Sequence, residues 1–216
     1  MPSQVLEANI MTSRFAKTSG RSRSFSFWKR TFDIAMSILL VPVLIGVALL
    51  LLVANPYYNK GRLFYTQTRM GRNCVPFTAY KFRSMIDVTT IARGANDGLE
   101  LDRITRLGAF LRKSRIDELP QIINVLKGEM SLIGPRPDYY EHAVTFLDQV
   151  HGYRERHMVR PGISGLAQIR LGYIQGIQAT RRKVRSDLFY IDNASFRLEA
   201  WLFWQTLTIV ARRAGA

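Results

Sequence analysis

Residues 34–54 read IAMSILLVPVLIGVALLLLVA, 21 consecutive residues without a charge. As an α-helix this stretch is about 31 Å long, enough to cross the hydrocarbon layer of a bilayer. It decides the fold class, because it attaches a membrane segment to a chain that is otherwise polar. A secretory signal matches poorly: the run starts late, is too long, and no small-residue cleavage site follows it. Both flanks are basic, with Arg14, Lys17, Arg21, Arg23, Lys29 and Arg30 before the segment and Lys60, Arg62, Arg69 and Arg72 after it. Cytoplasmic flanks attract Lys and Arg. Pro42 sits near the middle, where it removes one helix hydrogen bond and favours a bend. Together these imply a helix that enters, breaks near Pro42 and returns to the same face. A straight span is the alternative that the residues alone leave open.

Outward from this segment, residues 1–27 are rich in Ser, Thr and Arg, show no apolar period and read as a mobile basic tail. The 216 residues leave room for one ordinary domain plus an appendage, and 47% apolar content suffices for a packed core. A formal charge of +15 calls for anionic partners: nucleic acid, anionic lipid or phosphorylated small molecules. Cys74 is the only cysteine, which excludes an internal disulfide and fits a reducing, cytosolic setting. His142, His151 and His157 have no Cys or His partners at zinc-ligand spacing and read as ordinary surface or interfacial histidines.

After Pro56 the pattern is that of a mixed globular domain. Arg62 to Thr68 and Pro76 to Phe82 hold β-favouring residues around Gly71-Arg72-Asn73, a short hairpin. Ser84 to Asp102 is polar and mixed in charge, a loop able to order over a substrate. Ile104 to Ser114 has Leu107, Phe110 and Leu111 at helical spacing, which suits a membrane-surface helix and a core-facing one equally. Pro120 is tolerated only in a first turn, so the spacing predicts a helix from near Asp117 to Gly128. At the C-terminus, Phe196 to Arg213 carries Trp201, Phe203, Trp204 and Leu207 before Arg212-Arg213, an interfacial helix in preference to one packed wholly in the core.

The chemistry-bearing residues lie between Arg106 and Gln168. Asp117 and Glu118 are expected at a helix N-terminus, whose partial positive charge and free N–H groups keep carboxylates ionised and attract phosphate. An Asp-Glu pair there is usually a cap, but its context is cationic: Arg112, Lys113 and Arg115 precede it. Arg136 lies between Pro135 and Pro137, a preset fork that grips phosphate oxygens better than a flexible Lys. Lys81 and Arg83 flank Phe82 on a strand, so both cations face one side. Gly162 and Gly165 after Arg160 permit close backbone approach. There is no Walker motif, dinucleotide fingerprint or Ser-His-Asp order.

Several ordered motifs together resemble a known family: Lys29-Arg30-Thr31-Phe32-Asp33, Lys81-Phe82-Arg83-Ser84-Met85, Asp117-Glu118-Leu119-Pro120-Gln121, Gly134-Pro135-Arg136-Pro137, and Arg160-Pro161-Gly162 onward. They look like those of the bacterial sugar transferases, the small monotopic phosphoglycosyl transferases, over about residues 28–210. The resemblance implies transfer of a sugar 1-phosphate from a UDP-sugar to a membrane polyprenyl phosphate, undecaprenyl phosphate in bacteria. UMP is released, as the initiating step of polysaccharide or glycoconjugate synthesis. It implies Asp117 as the nucleophile of a covalent aspartyl-phosphosugar intermediate and Glu118 as ligand to Mg²⁺. Arg112 and Arg136, with Pro135 and Pro137, are implied at the phosphates or nucleotide, and Lys81, Arg83 and Arg160 as further substrate contacts.

The implied fold is α+β and monotopic: a re-entrant helix–break–helix over 28–56, then a cytosolic catalytic domain over 57–216 with interfacial amphipathic helices. The implied site of action is the cytoplasmic face of the bacterial inner membrane. Partners are the UDP-sugar, polyprenyl phosphate and membrane lipids, without nucleic acid; homo-oligomers are allowed. The chain departs from the family in having Val41, where Ser is commoner, before Pro42. It also lacks the N-terminal spans and extra domain of larger relatives and so looks like the catalytic-only form. Tyr190-Ile191-Asp192-Asn193 is similar to the family's C-terminal motif. Residues 170–186, with Tyr173, Gln175, Gln178, Arg181 and Arg182, are expected to bear on donor choice, yet nothing in the sequence names the sugar. A membrane-anchored binder of nucleic acid or lipid would account for the charge and the anchor but not for an acid pair beside Pro-Arg-Pro. An inactive member of the family is disfavoured by the intact pair.

Overall fold

The computed structural model describes residues 23–59, 61–86, 101–172 and 176–212. The tail to residue 22, the middle of the expected 84–102 loop, and Tyr173 and Gln175 lie outside them.

Helix α1 spans Arg23–Tyr58 with Pro42 and Pro56 inside it. The break expected at Pro42 does not interrupt it. A proline costs one N–H and crowds one carbonyl, which a long helix absorbs without losing a turn. Among the described residues this is the one helix long and apolar enough to cross a membrane. Its middle exposes apolar side chains, among them Leu39, Val43, Leu49, Leu50 and Val53, with Leu50 at 73% exposure. So much contiguous apolar surface is unfavourable in water and suits hydrocarbon.

The two ends of α1 are fastened differently from its middle. Near the start, Lys29 Nζ donates to Ile133 O (3.0 Å) and Glu199 Oε2 (2.6 Å), while Asp33 accepts from Ser131 Oγ (2.7 Å) and Leu132 N (3.1 Å). Near the end, Asn55 Nδ2 donates to Gly61 O (2.9 Å) and Asn59 Nδ2 to Arg83 O (2.7 Å). Between them Leu44 and Leu51 pack in a cluster with Phe82, Leu111 and Ile122. One domain therefore holds the helix at both ends.

That domain is built on two small sheets. Strands β1 (Phe64–Met70) and β2 (Pro76–Phe82) pair antiparallel, Tyr65 opposite Lys81 and Arg69 opposite Phe77, so the expected hairpin is present. Asn73 and Cys74 turn it at positive φ, 56° and 61°. Helix α2 (Arg106–Lys113) is capped by Thr105, whose Oγ1 accepts from Gly108 N at 2.8 Å. It buries Leu111 and exposes Phe110, combining the two roles its pattern allowed. Helix α3 (Gln121–Lys127) ends at Gly128, left-handed at φ 86°. Strands β3 (Ser131–Ile133) and β4 (Gly162–Ser164) pair in parallel, separated in sequence by α4 (Tyr140–Gln149). Helices α5 (Leu166–Leu171), α6 (Ile177–Asn193) and α7 (Phe196–Ala211) complete the chain.

The main core joins Phe77 and Ala79 of β2 to Val125, Met130, Ile133, Leu166, Tyr190, Ile191 and Leu202. Helix α7 buries Leu202 and exposes Phe196, Trp201, Trp204 and Leu207. Its Phe196 and Phe203 meet Phe25 and Phe32 of α1 edge-on, at 5.0 and 5.5 Å. The exposed Phe196 and the half-buried Phe203 of α7 thus pack against the long apolar helix.

Candidate active site

Asp117 and Glu118 lie one turn earlier than the sequence suggests. Ile116–Glu118 is a 3₁₀ turn, and α3 proper begins at Gln121. Glu118 N donates to Arg115 O at 3.1 Å, so the free N–H expected at a helix start is already used. Arg115 forces this arrangement: at φ 59° it ends α2 in a left-handed conformation unfavourable for a side chain with a Cβ and turns the chain back. Cationic side chains, rather than a helix terminus, supply the positive field.

Glu118, 5% exposed, is surrounded by cations. Lys81 Nζ donates to Oε1 at 2.9 Å, Arg136 Nη1 to Oε2 at 3.0 Å with Nη2 on Oε1, and Arg115 Nη1 lies 3.4 Å from Oε2. Burial opposes ionisation, but Arg136 and Lys81 overcome it and hold the Glu118 carboxyl well below the usual carboxylate range. Burial pushes Lys81 down, countered by Glu118. For Arg136 burial also acts against the charge, and Glu118 more than restores it.

Asp117 is equally buried, at 7% exposure, and its Oδ1 has no hydrogen-bond partner. Burial and the adjoining Glu118 charge raise its pKa to about 6 against the pull of Lys81, Arg136 and Arg112. The acids are thereby differentiated. Glu118 is permanently ionised with its acceptor positions taken, whereas Asp117 keeps an open oxygen in a field where cations outnumber carboxylates. Such a site takes a multiply charged anion, and the open oxygen is placed for nucleophilic work or for a cation. Among the described residues no group of three or more His, Cys, Asp or Glu gathers as a metal cluster. The pair still fits Mg²⁺, which commonly takes one or two carboxylates and completes its shell with water and substrate phosphate.

Lys81 and Arg136 thus converge on the pair from separate motifs, because β2 packs against the turn and β3 delivers Gly134-Pro135-Arg136-Pro137. Arg112 contributes charge at Asp117, its Nη1 lying 3.7 Å from Met85 Sδ. Arg83, past the last ladder residue of β2, donates from Nε to Arg62 O at 2.8 Å. Arg160 donates from Nε to Gly128 O at 2.8 Å, at the carboxyl end of α3, beside Arg30, which donates to Val125 O at 2.8 Å. Pro135 and Pro137 engage through their carbonyls, accepting from Gly162 N (2.9 Å) and Arg69 Nη1 (2.8 Å). The glycines after Arg160 approach backbone rather than open space. A Cβ at Gly162 would lie 2.1 Å from Gly134 N, and one at Gly165 2.2 Å from Gly134 O.

Sequence reasoning passed over Arg69, Asp138, Arg156, Lys183 and Asp187. Arg156, with no exposed side chain, donates to Asp187 Oδ2 at 2.8 Å, to Asp138 Oδ2, and to Arg136 O at 2.7 Å. Lys183 and Tyr153 also donate to Asp138, Tyr153 at 2.8 Å. The available signal was the position of Asp138, directly after Pro137.

Comparison with known proteins places this geometry. The profile of the bacterial sugar transferases matches residues 24–213. The chain is 39% identical over 193 residues to the UDP-N-acetylgalactosamine-undecaprenyl-phosphate N-acetylgalactosaminephosphotransferase of Aeromonas hydrophila, covering 89% of this chain and 45% of that protein. It is 38% identical to the exopolysaccharide production protein PSS of Rhizobium leguminosarum bv. phaseoli, covering 83% and 92% respectively. With the UDP-glucose:undecaprenyl-phosphate glucose-1-phosphate transferase of Caulobacter vibrioides the identity is 35%, over 85% of this chain and 67% of the other. With that profile matching nearly its whole length, the chain belongs to the bacterial sugar transferase family.

Proposed function

We propose that this protein is a phosphoglycosyl transferase acting on a UDP-sugar and undecaprenyl phosphate at the cytoplasmic face of the bacterial inner membrane. The observation that carries the reading is the differentiated acid pair: a buried Asp117 oxygen without a partner beside a Glu118 held by Lys81, Arg115 and Arg136. The names of the relatives support both substrates.

In this mechanism Lys81, Arg112 and Arg136 bind the donor diphosphate. An oxygen of ionised Asp117 attacks the phosphorus that bears the sugar, and the bond from that phosphorus to the UMP oxygen breaks. UMP leaves with the bonding pair, and an aspartyl-phosphosugar remains. An oxygen of polyprenyl phosphate then attacks the same phosphorus, releasing Asp117 as carboxylate and leaving the sugar diphosphate on the lipid. Mg²⁺, when bound through Glu118 and donor oxygens, would neutralise the diphosphate and stabilise departing UMP. Glu118, whose oxygens are held by Lys81, Arg115 and Arg136, would hold the ion only where one of these cations engaged the donor phosphates instead.

We further propose a re-entrant α1. Lys29, Arg30 and Asp33 at one end and Asn55 and Asn59 at the other are bound by one domain, so both ends belong on one side of the bilayer. Trp28 and Tyr57 stand exposed at these ends, the residue types that settle at headgroup level. Magnesium-dependent UMP release from a panel of UDP-sugars, in the presence of polyprenyl phosphate, tests the activity and identifies the sugar. No release with any donor would favour a non-enzymatic lipid binder.

A further inference from the structure

We infer that Arg156 is a positioning residue for Arg136, acting through the main chain of the loop that carries it; this rests on the donor-binding role proposed above for Arg136. The loop after β3 has an unusual property: each of its four successive carbonyls accepts from a different part of the fold. Pro135 O accepts from Gly162 N (2.9 Å), Arg136 O from Arg156 Nη2 (2.7 Å), Pro137 O from Arg69 Nη1 (2.8 Å) and Asp138 O from Met70 N (3.1 Å). Two of these bonds are ordinary backbone pairing of neighbouring segments. The other two come from arginine side chains, of which Arg156 is buried and Arg69 half-buried, and only Arg156 is anchored at its far side by carboxylates.

Arg156 sits in the 3₁₀ turn Glu155–Met158 with a fully buried side chain. Its Nε and Nη2 both meet Asp187 Oδ2 at 2.8 Å, which ties it to α6. Its Nη1 meets Asp138 Oδ2, and Asp138 is also held by Lys183 and by Tyr153. A planar guanidinium satisfied on all three sides has one orientation, so the proton it presents to Arg136 O is fixed relative to α6. The carbonyl of Arg136 and its side chain leave the same residue, and Pro137 restricts the backbone beyond it. Fixing that carbonyl fixes the direction in which the Arg136 guanidinium reaches Glu118 and, with donor bound, the phosphate. A four-residue ion network centred on the fully buried Arg156 and Asp187 is a costly way to stabilise a fold when apolar packing serves as well, and it gains its use by setting one geometry.

The test is a double-mutant cycle in the full-length protein, with UMP release read as kcat and KM for the UDP-sugar at saturating polyprenyl phosphate. Arg156→Lys keeps the charge and the contact to Asp187 but cannot form the fork. It should lower kcat by about tenfold or more, and Arg136→Lys by a similar factor. In the double variant the second change should cost less than about twofold, because a lysine at 136 no longer uses the geometry that Arg156 sets. Asp187→Asn, which weakens the far-side anchor of Arg156, gives a second cycle with Arg136→Lys should Arg156→Lys not fold; it should also be non-additive. Losses that multiply in the cycles would overturn the inference while leaving the role of Arg136 intact. An Arg136→Lys enzyme of ordinary rate would overturn both.

Discussion

At Asp117 the fold carries a buried charge at a cost in stability. Its carboxyl is buried with an unpaired oxygen, and its pKa is raised to about 6 by burial and by the neighbouring Glu118. A group whose folded pKa lies above its unfolded value destabilises the fold when ionised, and the penalty disappears as pH falls through 6 toward 4. Asp117→Asn should therefore abolish turnover yet stabilise the donor-free protein by about 1 to 3 kcal/mol at pH 8, with the gain vanishing near pH 4. Melting curves of both proteins across that range check it; an Asn variant less stable at pH 8 would contradict it. At this scale the sequence told a good deal. Lys81, Glu118 and Arg136 each sat in a recognisable motif, and the structure brings them together. Arg115 was read only as one of the cations before the pair, and Arg156 was passed over, each for a physical reason. Arg115 acts through a left-handed backbone that no composition signals, and Arg156 lies in a run, Arg154-Glu155-Arg156-His157, that reads as solvated surface yet is half enclosed by α6.

At the scale of elements, the hairpin and the Gly128 stop were legible because turn residues and helix caps are local signals. The start of α3 was not. Pro120 ruled out a helix interior correctly, but a 3₁₀ turn before it satisfies the same constraint, and only the reversal at Arg115 selects that solution. Nor was the path of α1 through Pro42. The helix is continuous, while its fastening at both ends to one domain supports re-entry. Cysteines placed singly at Ser19 and Arg62, in a Cys74→Ser background, should both react only with reagent on the cytoplasmic side. Arg62 is exposed and so open to the reagent. Labelling of position 19 from the periplasmic side would establish a span. At the start of α1, Asp33→Ala leaves Leu132 N without its acceptor and Ser131 Oγ with Ile133 O alone. It should lower stability by about 2 to 4 kcal/mol, read as a fall in melting temperature in detergent.

For the molecule as a whole, basic character, a long apolar helix and an acid pair are what the proposed enzyme needs if it is to meet a soluble donor and a lipid acceptor at one surface. The charge and the apolar run were plain in the sequence. What was not plain is how much positive charge is internal, in Lys81, Arg136, Arg156 and Lys183, rather than spread over the surface. That interior makes the fold sensitive to acid. His157 is buried beside Arg156, and burial first, then that charge, lower its pKa to about 3. The unfolded chain binds a proton near pH 6.5 that the folded chain refuses, so stability should fall by about 1.4 kcal/mol per unit from there toward pH 3. His157→Gln should flatten this slope, which melting curves at pH 7 and 5 would show.

The central claim is that Asp117 is the nucleophile, and it is tested most directly by loading enzyme with UDP-sugar and Mg²⁺ in the absence of lipid, quenching, and examining the peptide containing Asp117 by mass spectrometry. The account predicts a burst of UMP limited to about one per active site and a sugar phosphate on that peptide, both lost in Asp117→Asn. If polyprenyl phosphate instead attacks the donor directly, no UMP appears until lipid is added. An unmodified peptide, from enzyme that turns over normally with lipid, would contradict the covalent mechanism.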